Sequence, residues 1–393
     1  MPASVLVQAE AVVATPRRFD TVRLHRSLAA SQADWDAMLA VAPATAYQTP
    51  AWVAPWCDSL GGALEPLIVV AADDRGPVAL LPLGLRRRGG LTTACFLGGQ
   101  DSNLGLGLFD PALDWDAPLV RRLLGEAARR GGIDLFWLAH QPWVFADRPN
   151  PLALLPAVPS PSQQHEARLG GTPEAVLARL LSSKARKHIR QKEAKLAALG
   201  SLRHAVAEDP AMAARIAAAL LAQRQVRFGA TGREGALQRF FERAAGPGPQ
   251  GRPGVELHAL MCGDALVAAF AGTEHAGRFS GMTVSFAPEA EWARFSPGEL
   301  LIARIVAAKC RKGLAWFDLG IGEARYKESF CPTGVPLFDT VVGMTPRGRV
   351  AAWGLAAWLS LKRRIKQTPR LWALVEAGRA RWRAALGGFT PRQ

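Results

Sequence analysis

The chain has 393 residues, of which 49% are hydrophobic and 21% are charged, and its formal net charge at pH 7 is +15. This length exceeds one ordinary core, and the apolar content is sufficient for burial, so we expect a globular protein of two domains and exclude a disordered chain. The N-terminus lacks the basic and apolar regions of a secretory signal, and no stretch of about 18 uncharged apolar residues occurs. We therefore expect a cytoplasmic protein without a membrane span.

The first half of the chain predicts a helix, a hairpin, a strand, a second helix and a second strand. A short helix covers about Trp52 to Leu60, and two apolar runs joined by an Asp- and Gly-containing turn form a hairpin over Glu65 to Leu85. A strand near Ala94 to Leu97 precedes LVRRLLGEAARRGGIDLFWLAH, in which a helix ends near a glycine and a buried strand follows. The segment Gln141 to Gly171, which contains six prolines, predicts a connection or a domain boundary.

The second half predicts three helices, three strands, and then a further helix and strand. The first helix extends from about Pro173 to Leu199 and ends at Gly200. The other predicted elements are the helices Pro210 to Phe228 and Arg233 to Ala245, the strands Val255 to Cys262, Leu266 to Glu274 and Arg278 to Phe286, the helix Gly298 to Lys312, and the strand Leu314 to Leu319. Antiparallel hairpins followed by a strand, helix, strand crossover predict an α/β (α+β) fold, with a mixed sheet and helices on its faces.

The two halves repeat the same order of elements. VELHALMCGDALVAAFAGTEH repeats the hairpin pattern of EPLIVVAADDRGPVALLPLGL, and each hairpin precedes a helix, a glycine and a buried strand. Aligning Gly132 with Gly313 places Trp137 on Asp318, so the apolar frame repeats and the aspartate does not. Two matches in the same order predict a tandem duplication. We expect domains over residues 20–160 and 161–350, followed by a basic helical tail over residues 351–393.

The tail carries much of the positive charge. From Ala351 to Gln393 nine Lys or Arg residues stand against Glu376 alone, which gives +8. Four tryptophans lie among these cations: Trp353, Trp358, Trp372 and Trp382. Such a composition is typical of a segment that rests on an anionic membrane. A helix that docks its tryptophans on the body of the protein has the same composition, and both interpretations stay open.

Several familiar motifs are missing from the sequence. The glycines Gly320 and Gly322 follow a predicted strand, but Arg325 stands where a dinucleotide-binding fingerprint needs its third glycine. No P-loop, HExxH or GxSxG motif occurs, and the five scattered cysteines never have CxxC spacing. No helix-turn-helix, zinc finger or aromatic RNP pattern is present. We therefore expect neither a metal site nor specific DNA binding.

The junction ARFSPGELL is a candidate anion site. Ser296 suits the N-cap of the following helix, Pro297 its first position, and Glu299 its first turn. The free backbone N–H of Gly298 would then receive a pyrophosphate, with Arg294 adding charge. A helix that is merely well capped has the same sequence, and the two interpretations are compatible.

The segment SSKARKHIRQKEAKL is a candidate surface for an anionic substrate. Six basic residues stand against one glutamate, and Lys184, Lys187 and Gln191 recur at helical spacing as part of a basic stripe with Lys195. We assign substrate binding to Lys184, Lys187, Arg190 and Gln191, with a phosphate, a lipid-linked sugar or RNA as ligand. A solvated helix face is the alternative.

Four segments share a pattern with one known family: QTPAWVAPWCDSLGG, VALLPLGLRRRGG, SKARKHIRQKEAKL and SPGELLIARIVAAKCRKGLAWFDLGIGEARYKESF. Together they resemble the CelD/BcsL-type acetyltransferases of the GNAT superfamily, and the resemblance spans roughly Ala46 to Val350. It implies two tandem GNAT-like units, with acetyl-CoA or another acyl-CoA held by the second. It also implies transfer to an amine or hydroxyl of a carbohydrate or its precursor, in cellulose or exopolysaccharide biosynthesis. RFSPG is one residue longer than the usual GNAT pyrophosphate loop, [Q/R]xxGx[G/A].

Direct acyl transfer needs a base, donors for the oxyanion and an acid for the leaving thiolate. Asp318 and Glu323 are the candidate bases, and Tyr326 is the candidate acid for the thiolate. Lys327 would lower the pKa of Tyr326 or bind phosphate. In the structural alternative, Asp318 caps the turn that follows it and Tyr326 packs its ring.

Two other functions remain open for this sequence. Fem-type aminoacyltransferases share the tandem arrangement, so the donor could be an aminoacyl-tRNA that uses the basic helix. A catalytically idle GNAT-like module that binds polysaccharide machinery or membrane is the third hypothesis. For any of them we expect a cytoplasmic protein, with peripheral contact to the inner membrane if the tail binds lipid.

Overall fold

The computed structural model describes residues 18–62, 64–248 and 251–368. Most of the described strands form one mixed sheet. The strands are β1 (Thr21–His25), β2 (Glu65–Asp73), β3 (Gly76–Arg88), β4 (Leu91–Phe96), β5 (Leu108–Phe109), β6 (Leu135–Pro142), β7 (Val144–Phe145), β8 (Arg148–Pro149), β9 (Ala157–Arg168), β10 (Leu202–Val206), β11 (Glu256–Cys262), β12 (Ala265–His275), β13 (Arg278–Phe286), β14 (Trp316–Ile321) and β15 (Thr333–Gly343). The α-helices are α1 (Gln32–Val41), α2 (Pro50–Ser59), α3 (Ala117–Gly131), α4 (Pro173–Leu180), α5 (Ser183–Ala197), α6 (Pro210–Phe228), α7 (Glu234–Ala245), α8 (Ala290–Ala293), α9 (Pro297–Arg311), α10 (Arg325–Phe330) and α11 (Pro346–Gln367). The predicted mixed α/β fold is confirmed.

The predicted repeat is present in the structure. In the first unit, β1 to β6, strands β2, β3 and β4 are antiparallel, and β6 joins β4 in parallel after α3. In the second unit, β10 to β14, strands β11, β12 and β13 are antiparallel, and β14 joins β13 in parallel after α9. Each crossover helix is followed by a glycine with positive φ, Gly132 at 66° and Gly313 at 81°. A side chain is unfavourable in this conformation, which explains why both copies carry glycine there.

The two units exchange strands. Strand β9 follows the first unit in the chain but pairs with β14 of the second, and β15 follows the second unit but pairs with β6 of the first. Strands β9 and β15 also pair with each other, so the order of paired strands is continuous from β1 to β10. The expected boundary at residue 160 falls inside β9.

Proline explains why this strand was interpreted as a connection. Pro159 and Pro161 lie in the first half of β9, where it pairs only with β15; pairing with β14 begins at Gln164. A missing backbone N–H is tolerated where a strand has a neighbour on one side only. The proline content that predicted a linker is thus compatible with a strand.

The predicted helix from Pro173 to Leu199 is also wrong, since the structure has two helices there. Leu181 has an extended backbone, with ψ at 136°, and the hydroxyl of Ser182 accepts a hydrogen bond from the N–H of Ala185. Serine at an N-cap favours a new helix start. The remaining predicted helices match the structure within a few residues.

The described part of the expected tail, residues 351–368, is continuous with the body of the protein. Helix α11 crosses the expected boundary at residue 350 and packs against β9 and β15, with Leu359 buried beside Leu135 and Val341. Trp353 and Trp358 are 77% and 51% exposed, so the interpretation that these tryptophans dock on the body is wrong. Trp372 and Trp382 lie outside the described residues. Among the helices described, none combines the length and hydrophobicity needed to cross a bilayer.

A hydrophobic core shared by the two units covers one face of the sheet. It contains Trp35 and Trp52 from the first unit and Leu220 and Phe240 from the second. The rings of Trp52 and Phe240 lie 5.4 Å apart with their planes at 73°, an edge-to-face arrangement that favours close packing. The units are therefore held together by apolar contact as well as by strand exchange.

Candidate functional site

A gap opens in the sheet where β13 and β14 separate. Their parallel pairing covers only three positions, from Arg278 opposite Trp316 to Ser280 opposite Asp318. Beyond this point β13 continues in its pairing with β12, while β14 continues in its pairing with β9. Ligands in α/β sheets commonly bind outside the carboxyl ends of parallel strands that diverge. The gap is therefore the first candidate for a binding site.

Asp318 is the last paired residue before the gap. Its carboxylate has no exposed area and accepts hydrogen bonds from the Ser280 hydroxyl at 2.6 Å, the Arg278 guanidinium at 3.4 Å and the backbone N–H of Gly320 at 3.1 Å. Burial raises the pKa of Asp318, and Arg278 and Ser280 oppose the increase. Asp318 thus caps the turn that follows it and holds the two strands together. Its carboxylate is completely buried, and its role as a base stays a prediction.

A side chain from the first unit occupies the start of the gap. The Asn103 amide donates to the backbone carbonyl of Gly281 on β13 at 2.8 Å and to the hydroxyl of Tyr47 at 2.7 Å. Its oxygen would lie only 2.4 Å from a Cβ atom at Gly320 on β14. Gly320 also has a φ of 73°, which favours glycine. Asn103 therefore separates the strands, a role that no sequence motif indicates.

The N-terminus of α9 lies beside the separated part of β13. A Cβ atom at Gly298 would be 3.5 Å from the side chains of both Val284 and Phe286. Pro297 and Glu299 occupy the first turn as predicted. The first N–H groups of a helix attract anions, because they lack intrahelical partners and lie at the positive end of the helix dipole.

Ser296 is at the N-cap, but its side chain does not cap the helix. Its φ is 52° and its hydroxyl makes no capping bond; instead it accepts a hydrogen bond from the ammonium of Lys192 at 2.8 Å. The left-handed backbone at Ser296 and the contact with Lys192 replace the cap that the sequence predicts. Arg294 is exposed, and its guanidinium lies 4.7 Å from the centre of the Phe295 ring. The cation at this helix terminus is therefore Lys192 from α5.

Two arginines at the end of α6 add positive charge beside β13. Arg224 donates to the hydroxyl of Thr283 at 2.6 Å, and the guanidinium of Arg227 lies 5.3 Å from the centre of the Phe286 ring. Sequence reasoning missed both arginines and Lys192. Lys192 lies in the basic segment, but the predicted basic stripe includes Gln191 and Lys195 and omits Lys192.

The predicted substrate residues of α5 point to solvent. Lys184, Lys187, Arg190 and Gln191 are all exposed. The adjacent face of the helix contacts α9 through Lys192 and through Glu193, which forms an ion pair with Arg304. The structure thus places the exposed stripe away from the α5 face that contacts α9, and its binding role stays a prediction.

Helix α10 carries Tyr326 and Lys327 just after β14. Tyr326 is partly buried against the core of the second unit, and burial raises its pKa while Arg224 and Arg227 act in the opposite direction. The Lys327 ammonium donates to the carbonyl of Ile321 at 2.7 Å, and burial lowers its pKa. The prediction that Lys327 lowers the pKa of Tyr326 is therefore wrong, because the cations acting on the tyrosine are the two arginines.

Glu323 borders a cavity of about 760 Å³ between α11, β9 and β15. Its carboxylate is 47% exposed and pairs with the ammonium of Lys366 at 2.5 Å. The cavity wall also contains Trp143, Gln163 and Arg363 together with two serines. An indole face among several hydrogen-bonding groups suits a polar organic molecule.

Comparison with known proteins gives one family match, in the second half of the chain. Residues 183–328, from α5 to α10, match the family profile described as Acetyltransferase (GNAT) domain. A search of curated protein sequences found no match to the chain. The second unit therefore contains a GNAT domain, and nothing in the comparisons identifies the CelD/BcsL family.

Three solved structures have the same overall fold. FemX has a TM-score of 0.58 at 9% identity, and the alignment covers 85% of this chain and 100% of FemX. A conserved protein of unknown function from Bacteroides thetaiotaomicron has a TM-score of 0.53 at 13% identity, with 82% and 100% coverage. The C-terminal domain of a candidate lysylphosphatidylglycerol synthetase from Agrobacterium fabrum has a TM-score of 0.51 at 15% identity, with 84% and 95% coverage. The TM-scores indicate a common fold, and identities this low say nothing about substrate.

Proposed function

We propose that the protein is an acyltransferase that takes its acyl group from acyl-CoA bound in the gap of the second unit. The observation that carries this proposal is the cationic N-terminus of α9 beside the separated strand β13. Lys192 contacts the N-cap residue, and Arg224 and Arg227 contact β13 itself. Backbone N–H groups and these cations together suit the pyrophosphate of coenzyme A.

Tyr326 is the proposed acid for the leaving thiolate. Its raised pKa keeps the phenol protonated at neutral pH, so it can give its proton to the sulfur as the carbon–sulfur bond breaks. The acceptor amine or hydroxyl forms the new bond to the acyl carbon and loses a proton. Glu323 is the proposed base for that proton, because it is exposed and only three residues from Tyr326. Asp318 positions both strands without touching the substrate.

The proposed acceptor is a carbohydrate or a carbohydrate precursor. Trp143 is 37% exposed in the cavity that Glu323 borders, and the serines and Gln163 offer hydrogen bonds there. An aromatic face with nearby polar groups binds a ring that has an apolar side and many hydroxyls. A role in cellulose or exopolysaccharide biosynthesis rests only on the sequence resemblance.

Calorimetric titration with acetyl-CoA tests the donor. The Lys192→Met variant removes the cation at the α9 terminus, and we expect its Kd to rise at least tenfold, since a charge-assisted hydrogen bond contributes about 1.5–3 kcal/mol. Lys195→Met removes an exposed cation one turn further along α5 and should change Kd less than twofold. Absence of binding to the wild-type protein, or equal effects of the two substitutions, would refute the proposed donor site.

An aminoacyl-tRNA donor is the second candidate. The exposed cations of α5 favour it, because a basic helix face attracts a nucleic-acid backbone. If this donor is correct, charged tRNA stimulates transfer, and Lys184→Ala with Lys187→Ala weakens tRNA binding while acetyl-CoA does not bind. If neither donor binds, the remaining candidate is a catalytically idle binding module.

A further inference from the structure

Helix α11 presents an apolar stripe to solvent. The stripe consists of Val350, Trp353, Ala357, Trp358 and Leu361, which recur at helical spacing on the face opposite the body. Four of these side chains are large, and their exposed fractions range from 51% for Trp358 to 77% for Trp353. Exposed indoles in a continuous row are uncommon on a surface that has no partner. The stripe therefore indicates an interaction surface.

Positive charge surrounds the α11 stripe. Helical spacing places Arg364 at one end of the stripe and Arg349 and Lys362 along its two sides, and all three are exposed. Arg347, at the other end, is exposed and pairs with the carboxylate of Asp134. The ammonium of Lys362 lies 5.1 Å from the centre of the Trp358 ring. The sequence of α11 contains no aspartate or glutamate. The partner must therefore combine an apolar region with a continuous negative charge around it.

We propose that the α11 stripe binds the surface of a membrane that contains anionic lipid. Tryptophan rings rest at the boundary between headgroups and acyl chains, while arginine and lysine reach outward to lipid phosphates. A bilayer surface offers both features along the length of a helix, and an anionic leaflet attracts basic residues close to it. A protein partner would need an apolar groove to contact the α11 stripe and acidic groups on every side of that groove.

The same helix touches the candidate catalytic loop. Lys366, in the last turn of α11, pairs with Glu323 and donates to the hydroxyl of Ser162 on β9. A membrane bound by the stripe is thus connected through one helix to the cavity that Glu323 borders. If the proposed function holds, this arrangement favours an acceptor held at or in the membrane.

Sedimentation of the full chain with lipid vesicles tests the surface. We expect binding to vesicles of phosphatidylcholine mixed with phosphatidylglycerol, and much weaker binding to phosphatidylcholine alone. Trp353→Ala combined with Trp358→Ala should lower partitioning at least tenfold. Lys362→Glu combined with Arg364→Glu should lower it more than about 25-fold, from about fivefold for each cation lost near the surface.

Matched controls remove similar groups from other surfaces. Leu199→Ala with Val226→Ala removes exposed apolar side chains elsewhere, and Arg86→Glu with Arg88→Glu reverses two exposed charges on β3. Both controls should bind anionic vesicles within a factor of about two of the wild type, because screening limits distant charges.

Three results would overturn the proposal. They are equal binding to neutral and anionic vesicles, wild-type binding by the double tryptophan variant, and tryptophan-dependent self-association without vesicle binding. The second result would assign membrane binding to another part of the chain, such as residues 369–393. None of the measurements requires acyl transfer, so failure here leaves the donor proposal untouched.

Discussion

The two units share one scaffold and differ at the N-terminus of their crossover helix. In the first unit the Asp116 carboxylate caps α3 and accepts a hydrogen bond from the N–H of Leu119 at 2.7 Å. In the second unit Ser296 makes no capping bond, and Lys192 approaches the same position of α9. One helix terminus is capped by a carboxylate, whereas at the other a lysine ammonium contacts the N-cap residue. Under the proposed function, this difference confines the anion site to the second unit.

The gap beside the crossover strand differs as well. In the first unit the chain itself runs along the end of β6, where Gly105 donates to the carbonyl of His140 at 3.1 Å. A Cβ atom at Gly105 would lie 2.4 Å from the carbonyl oxygen of Ala139, so the backbone fills this space closely. In the second unit a side chain from that same loop, Asn103, enters the gap. The backbone around Gly105 therefore fills the gap of the first unit, while Asn103 of the same loop holds the gap of the second unit open.

The largest expected effect is on the transfer rate of Tyr326→Phe. Counted from the aligned glycines Gly313 and Gly132, the first unit has Phe145 at this position, so the substitution installs the residue of the other copy. Loss of a general acid lowers a rate by about 100-fold or more, and we expect that fall in kcat with an unchanged Kd for acetyl-CoA. A Tyr326→Phe enzyme with the full transfer rate would remove the tyrosine from the mechanism.

The pH profile offers an independent check of Tyr326. An acid whose pKa is raised stays protonated to a higher pH than usual, and burial raises the pKa of this phenol above its ordinary value of about 10. Deprotonation of Tyr326 should therefore cause no loss of rate between pH 7 and about 9.5. A loss of rate in this range that is absent from the residual activity of Tyr326→Phe would contradict the predicted direction.

Gly320→Ala tests whether Asn103 separates the strands. The new Cβ would displace the Asn103 amide, and the alanine would have to keep the positive φ of Gly320. Together these two effects should lower the free energy of unfolding by about 2–3 kcal/mol. Gly322 also has a positive φ but faces open space, so Gly322→Ala should cost only about 1 kcal/mol. Urea unfolding measures both values. Equal costs would mean that Asn103 moves freely and does not hold the gap.

Ser296→Asp gives the second unit the carboxylate that Asp116 provides in the first. Aspartate tolerates the left-handed backbone of this position, and its charge would pair with Lys192 and repel phosphate. We expect the Kd for acetyl-CoA to rise roughly 30-fold, equivalent to about 2 kcal/mol of lost charge complementarity. Ser296→Asn, which keeps the shape without the charge, is the matched control. Similar Kd values for the two variants would contradict an electrostatic origin of binding.

The repeated frame could be predicted from the sequence because its signals are local. Apolar runs, hairpin turns and the glycines Gly132 and Gly313 each depend on a few neighbouring residues. The exchange of β9 and β15 could not be predicted in the same way, since it pairs Gln141 with Phe338 across the two units. Strand partners so distant in the chain leave no periodic signal.

The candidate site was only partly predictable for a related reason. The α9 terminus follows from local rules, as Pro297 and Glu299 show. Lys192, Arg224 and Asn103 reach the site from three different elements, so no spacing in the chain connects them. Asp318 was predicted at the end of a strand but lies inside β14, and its burial depends on residues distant in sequence.

The smallest expected effect is a difference in the free energy of unfolding between variants of the two N-cap residues. Asp116→Ala removes a side-chain cap and should lower the free energy of unfolding by about 1 kcal/mol. Ser296→Ala removes no capping bond, and the Lys192 ammonium that loses its partner is half-buried and can bind water instead, so the free energy of unfolding should change by less than about 0.5 kcal/mol. Urea unfolding monitored by circular dichroism gives both values, with identical conditions for each variant. If Ser296→Ala costs as much as Asp116→Ala, the serine caps α9 in solution and the contrast between the units weakens. If only Asp116→Ala is costly, the free N-terminus of α9 is a property of the second unit, as anion binding requires.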